Sequence, residues 1–422
     1  MNPTLKSCPN CNQPYPSYEG FTDWCQACNW NVKAHHHDVF EDSLYDKFVK
    51  KLGDRFSKNL YEYVKTIQDV KPVFRWTAFV TTTVAIGVIM MWLAFIAIDI
   101  WLVFQFPNFF AVIGFIICSL IIYLFRPQFN EPPKKTISLS DAPVLWSIVE
   151  ELRVRLGASP IDYLVIDHNF NASMGYVGIH RKRKLTLGYP LLYIFDAQET
   201  VELISHELAH DVNRDPMRGY FHWYAVLALN RWYYITYPME ILTTDAGISA
   251  MIFSVPFNMA MWCISHVFLG GCYLIFWLSL NESQKAEYYA DYLAMTMSGN
   301  ASTVSSFRKM TYHNFLELSV QQAVVQHRED EVFGQFQANI TTIPDHEIER
   351  IQRENMLYES RVDSSHPPTP YRIGFAQSRG VIEPGFILDE KRHALLLDEL
   401  KKFEPDISRK LVDEYRDWIY NA

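Results

Sequence analysis

The sequence predicts a mainly α-helical chain with multi-pass membrane helices, an α+β domain carrying a small sheet, and an N-terminal unit organised by four cysteines. Three observations predict it. Apolar runs without a charged residue, 77–98 and 108–125, stand in tandem, and further apolar stretches follow at 221–237 and 248–280; about 20 such residues cross the hydrocarbon core of a bilayer as a helix. Helical periodicity elsewhere is interrupted by one strand-like region between 162 and 187. The stretch from Cys8 to Trp30 sets Cys8-x-x-Cys11 and Cys25-x-x-Cys28 among turn residues, with almost no aliphatic core.

Taken in order, residues 1–33 form the cysteine unit and 34–75 a helical linker. There Phe40, Leu44, Phe48, Leu52, Phe56, Leu60 and Val64 recur at every fourth position, and His35-His36-His37 reads as solvated. Residues 76–126 form a membrane hairpin turning between Asp99 and Pro107. A domain over 135–422 follows, with two further membrane segments at about 220–237 and 250–280; the first of these carries His222, Asn230 and Arg231. Within it, 141–156 reads as an amphipathic helix, 162–167 as a strand, 171–187 as strand or hairpin with a basic tip from Arg181 to Lys184, and 197–214 as a helix.

The chain has 422 residues, 49% hydrophobic and 15% aromatic, yet a mean hydropathy of −0.06, which fits a few membrane segments joined to ordinary soluble parts. A net charge of −9 speaks against nucleic acid as a partner, because its binders present a basic face. Of the 7 cysteines, Cys118, Cys263 and Cys272 lie in apolar stretches. No disulfide framework is visible, so a reducing compartment is expected. Residues 1–10 are polar and do not read as a signal peptide.

The helix over 197–214 contains His206-Glu207-Leu208-Ala209-His210. Residues four apart share a helical face, so both imidazoles can point at one Zn²⁺ while Glu207 reaches a water on the metal as general base. A third ligand is then required. The continuation that supplies a third histidine would need Gly and His where Asn213 and Pro216 stand. A glutamate from a later helix is the other common solution, and Glu287 in Glu287-Tyr288-Tyr289-Ala290-Asp291 is the candidate. Asp291, one turn on, can accept a hydrogen bond from a ligand histidine and fix its tautomer. Cys8, Cys11, Cys25 and Cys28 have the spacing of a zinc ribbon, in which the metal replaces the missing core. A redox role fits less well, since no βαβ pattern surrounds either pair. With only Lys6 and Lys33 against Glu19 and Asp23, the ribbon is expected to be structural or to dock a protein partner.

Together these motifs resemble the HtpX-like and CAAX-prenyl-endopeptidase family of integral-membrane zinc metalloproteases, of gluzincin type. The resemblance runs over about 138–373. It rests on His206 to His210, Glu287 to Asp291, Asn171-Ala172 and His366-Pro367-Pro368 with Arg372 downstream. Ser173 stands where the family often has an aromatic residue.

The resemblance implies a membrane-embedded endopeptidase acting on membrane-associated or misfolded polypeptides. A water on a catalytic Zn²⁺, activated by Glu207, would attack the scissile carbonyl. His366 and Arg372 would donate hydrogen bonds to the oxyanion, and Asn171 and Ala172, on an edge strand of the small sheet, would hold substrate added as a further strand. A second, structural Zn²⁺ belongs to the ribbon. Lys71, Arg75, Arg126, Lys134 and Lys135 bracket the first hairpin, and Arg214, Arg218 and Lys285 the second. The expected setting is thus the cell membrane, with ribbon and protease domain facing the cytoplasm. The alternative is a non-catalytic membrane scaffold retaining the fold, which intact Glu207 disfavours. An intramembrane protease is disfavoured by Asp211, Asn213, Arg214 and Asp215, directly after the motif.

Overall fold

A computed structural model of the chain describes residues 3–33, 57–67, 76–105, 109–124, 126, 131–178, 180–213, 215–238, 248–359 and 366–421. His35 to His37, the linker up to Phe56, Lys71, Arg75, Arg214 and residues 239–247 lie outside the described residues. The expected fourfold repeat ends inside them, where helix α1 (57–66) buries Leu60 and Val64.

The chain is mainly helical, with small sheets. Helix α2 (Trp76–Gln105) and helix α3 (Phe109–Leu124) pack as a pair, joined by Trp92 Nε1 donating to the Ile122 carbonyl at 3.0 Å. Asp99 does not begin a turn as expected; α2 runs through it. Its buried carboxylate accepts from Ser119 Oγ at 2.9 Å, so the helix tolerates an acid there. Helix α7 (Asp215–Thr236) lies against α2 and helix α8 (Ile248–Ser298), and Val88, Leu229, Trp232, Cys272 and Ile275 form their shared core.

Among the described residues, two helices are long and apolar enough to cross a membrane, over Thr82–Leu102 and Val255–Ile275. Helix α3 is apolar but its 16 residues span only about 24 Å, and α7 carries Asn230 and Arg231. The apolar stretch expected to stop at 280 is part of one 51-residue helix. Neither Gly nor Pro occurs between Cys272 and Ser298, so nothing breaks it before Gly299. Its second half delivers Glu287 and Asp291 against the histidine helix.

That helix, α6 (Ala197–Val212), is buried on nearly every face. A capping box starts it: Asp196 Oδ1 accepts from the Glu199 amide and Glu199 Oε2 accepts from the Asp196 amide, both at 2.8 Å. Lys309 and Ser305 also bond the buried Glu199 carboxylate, each at 2.5 Å. The core around α6 is built from helices α4 (Pro143–Leu156) and α5 (Tyr189–Ile194), the sheet, and the helices α10 (His313–Val325), α11 (Val332–Thr341), α14 (Glu390–Leu400) and α15 (Glu404–Asn421), with α9 (Asn300–Lys309) supplying Ser305 and Lys309.

The N-terminal strands β1 (Thr4–Ser7) and β2 (Pro14–Ser17) pair antiparallel. The second sheet has the order β3 (Tyr163–Asp167), β5 (Lys182–Gly188), β4 (Ala172–Val177), with β3 parallel and β4 antiparallel to β5. Among the described residues β4 therefore has a strand on one side only. Gly188 ends β5 where the chain from Asn169 to Asn171 crosses it. A Cβ there would sit 2.0 Å from the Asn169 carbonyl oxygen and 2.5 Å from that of Asn171, while the Gly188 amide donates to the latter at 2.9 Å. Only glycine permits this approach, and it fixes the entry to the edge strand.

Candidate active site

Helix periodicity brings His206 and His210 to one face of α6, and α8 lays Glu287 across it. His206 Nε2 lies 3.2 Å from His210 Nε2 and 3.6 Å from Glu287 Oε2; His210 Nε2 lies 3.6 Å from Glu287 Oε1. Donors about 2.0–2.1 Å from one tetrahedral ion stand about 3.3 Å apart, close to these separations, with one Glu287 oxygen facing each histidine. Three protein donors leave the fourth position open.

The residues behind the donors hold them in place. Asp291 Oδ1 lies 3.0 Å from His206 Nδ1, which sets the tautomer that leaves Nε2 as a lone-pair donor. Arg372 grips Asp291 with two bonds, Nη2 to Oδ1 at 2.6 Å and Nε to Oδ2 at 3.0 Å, and stacks its guanidinium 4.2 Å over the Phe307 ring. It thus pairs with a nearby acid, with Nη2 3.9 Å from Glu287 Oε2. His366 Nδ1 lies 2.7 Å from Glu287 Oε2, and half of its side chain is exposed.

The electrostatics follow from burial and these contacts. Burial opposes charge on His206, but the hydrogen bonds to Asp291 and Glu287 outweigh it and raise its pKa to about 10. Burial would lift Glu287, yet His366, His210 and His206 hold it well below the usual carboxylate range. Asp291 is likewise lowered, burial being overcome by Arg372 and His206. The acids are ready to hold a cation, and a metal must displace the His206 proton.

Glu207, His206, His366 and Arg372 line a cavity of about 300 Å³ together with Asn171 and Ala172, where β4 begins. The structure therefore gathers in one place every residue singled out around the motif. It adds Glu202, which sequence reasoning missed. One turn before His206 on the same face, Glu202 is buried, accepts from Ser306 Oγ at 3.0 Å and has its pKa pushed up to about 7 by burial. The 202–206–210 spacing was the signal available for it.

The four cysteines also come together. Cys8 Sγ lies 3.6 Å from Cys28 Sγ, and Cys11 Sγ 3.7 Å from Cys25 Sγ. Tetrahedral zinc–thiolate geometry asks for about 3.8 Å, whereas a disulfide would need about 2 Å. Both pairs sit in the same turn. Cys8 and Cys25 donate from their amides to the carbonyls of Gln13 and Trp30, and their own carbonyls accept from the amides of Asn12 and Asn29. Asn12 and Asn29 both have φ of 59°, a left-handed position that asparagine tolerates. Without a cation the crowded thiols cannot all ionise: the Asn10 hydrogen bond leads the effects that draw Cys28 down to about 6, while burial and the neighbouring sulfurs drive Cys11 up to about 12 against the lowering bond from Gln13.

A helix presenting two histidines and a glutamate, a second glutamate from a later helix, and a cavity reaching from them to the start of β4 define a metallopeptidase. The model of peptidase family M48 matches residues 141–379, more than half of the chain, and the chain belongs to this family. It is similar to the protease HtpX homolog of Pyrobaculum calidifontis, 27% identical over 239 residues, covering 55% of this chain and 67% of that protein. The protease HtpX homolog of Pyrobaculum aerophilum is 24% identical over the same shares. No solved structure matches significantly. The chain is an HtpX-like metalloendopeptidase with an added N-terminal four-cysteine unit.

Proposed function

We propose that the chain is a membrane-embedded, zinc-dependent endopeptidase that cleaves membrane-associated or misfolded polypeptides. The observation that carries this reading is the convergence of His206, His210 and Glu287, with His206 and Glu207 lining a cavity that Asn171 and Ala172, at the start of β4, also line. His206, His210 and Glu287 would hold the catalytic zinc, and Cys8, Cys11, Cys25 and Cys28 a structural one. The catalytic zinc, when bound, would supply Lewis-acid polarisation of the attacking water and the scissile carbonyl.

The chain's own residues do the rest. Glu207 takes the proton of the attacking water and passes it to the leaving nitrogen. His366, at the cleft beside Glu287, donates to the carbonyl oxygen as negative charge develops. Arg372 acts through Asp291, orienting His206. Asn171 and Ala172 offer backbone groups to a substrate lying antiparallel to β4, which selects extended polypeptide.

The bilayer as a partner is supported by the large apolar side chains exposed on both long helices, such as Phe79, Met90, Ile100 and Phe104 on α2 and Val255, Met259, Trp262 and Val267 on α8. We assign 1–33 to the ribbon, 34–75 to the linker, 76–126 to the first hairpin and 135–422 to the protease domain with two further membrane segments. Ribbon and protease domain face the cytoplasm, because Lys and Arg cluster at the ends shared with them.

The test is hydrolysis of casein and of a short peptide by the purified chain and by Glu207→Gln. The substitution should lower turnover by at least about 10²-fold while two zinc ions per chain are retained. Equal turnover in both proteins would make the chain a scaffold that keeps the fold.

A further inference from the structure

The ribbon does not present a bare surface. Trp24 is fully buried, stacked on His346 of helix α12 (Asp345–Glu359) with ring centroids 4.5 Å apart, and its Nε1 donates to the His346 carbonyl at 3.2 Å. Two further α12 side chains reach back into the ribbon backbone: Arg350 Nη1 donates to the Val32 carbonyl and Arg353 Nη1 to that of Gln26, each at 2.7 Å. Arg350 is itself buried and charge-balanced by Glu347 and Glu354, so its geometry is fixed before it meets the ribbon.

A second N-terminal element holds the next helix, α13 (Thr369–Ser378). Tyr61 of α1 stacks on Tyr371 at 4.9 Å, Arg379 Nη2 donates to the Val64 carbonyl at 2.7 Å, and Leu60 and Val64 pack with Phe375 and Ala376. Helix α13 carries Arg372 and begins directly after His366-Pro367-Pro368. The amides of Tyr371 and Arg372 bond the Pro368 carbonyl at 2.9 and 3.2 Å, tying its first turn to the His366 segment. Helices α12 and α13 also pack on each other.

We infer that the four-cysteine unit is an internal brace: together with α1 it clamps the two helices that precede and follow His366, and so positions His366 at the cleft, while Arg372 is anchored by its own two bonds to Asp291. Trp24, Arg353 and Tyr61 are positioning residues. The inference rests on the reading of His366 as a donor to the reacting carbonyl. Its physical logic is that a closed four-sulfur site makes a rigid knob without needing a core, and a rigid knob transmits position. Metal loading of the ribbon then sets the geometry of a cleft to which it contributes no atom.

The test uses the full chain in detergent with its metals, as wild type, Trp24→Ala and the milder Arg353→Ala, which leaves every cysteine in place. Zinc analysis should still give two ions per chain. Turnover of a short peptide should fall in kcat by about 10- to 100-fold for Trp24→Ala, less for Arg353→Ala, with KM within about twofold, because the lost interaction forms only in the transition state. In a His366→Ala background neither substitution should cost anything further, since a positioning residue has nothing left to position. Hydrogen exchange should speed up at 366–378 and stay unchanged at 197–212. Unchanged exchange at 366–378, or losses that multiply with His366→Ala, would overturn the brace. If wild type itself hydrolyses nothing, the catalytic reading fails while the exchange result still decides the clamp.

Discussion

The two clusters of metal-type donors in this chain are assembled by opposite routes. The cysteines all lie between Cys8 and Cys28, held by two copies of one backbone turn. The other donors lie between His206 and Glu287, on two different helices, and meet because α8 runs unbroken from its apolar half across α6. The first cluster offers four thiols and is closed. The second offers three groups, of which His206 lines the cavity. Closure makes a structural element; the missing fourth donor makes room for chemistry. The supports differ as well. The ribbon relies on local turns, whereas the open site is held by a relay from Arg372 through Asp291 to His206 that spans three helices.

That contrast can be broken at its strongest point first. Glu287→Ala should abolish peptide hydrolysis and remove one of two metal ions, leaving the ribbon's ion in place. Retention of both ions by metal analysis would mean that the open site has another third donor. Next in size, Asp291→Ala should weaken the open site's metal affinity by about 10–100-fold, without changing the ribbon's, as competition with a chelator would read. Equal weakening at both sites would contradict their independence.

The pH response should separate metal-free from loaded protein. In the chelated chain, the raised pKa of His206 contributes stability that is complete below about 6.5, its ordinary value, and is lost as pH rises towards about 10. Glu287 and Asp291 are lowered, so their contribution is present at neutral pH and is lost on acidification below the ordinary carboxylate range. Thermal scans of chelated protein should therefore show Tm falling between pH 7 and 10. Loaded protein should lack this fall, because metal binding requires His206 already deprotonated. The smallest effect belongs to the ribbon turns. Asn12→Ala or Asn29→Ala should cost roughly 1–2 kcal/mol, while Gly at either position should be close to neutral; a chelator titration of the ribbon metal would show an order in which Ala is weaker than Gly.

Much of this was legible in the sequence for a simple reason: both sites use spacings that secondary structure converts directly into geometry. His206 and His210 sit one helical turn apart, and so do Glu287 and Asp291. The Cys-x-x-Cys pairs bend by local turns. What escaped the sequence depends on partners remote in the chain. Asp99 reads as a turn residue until Ser119 is seen to bond it within the helix pair. Arg372 reads as free to meet substrate until Asp291 is seen to take two of its donors. Glu202 has only its place one turn before His206 to mark it, and the partner that satisfies it when buried, Ser306, is remote in the chain. The ribbon's seat on α12 has no periodic or motif signature, since Trp24 and His346 meet only in the folded chain.

The most direct test of one closed and one open centre is X-ray absorption at the zinc edge on the purified full chain. Wild type should show an averaged shell of about two sulfurs at about 2.3 Å and about two nitrogen or oxygen donors at about 2.0–2.1 Å per zinc. Cys8→Ser with Cys11→Ser should leave only the nitrogen and oxygen shell. A wild-type spectrum with sulfur alone, or with none, would contradict the account.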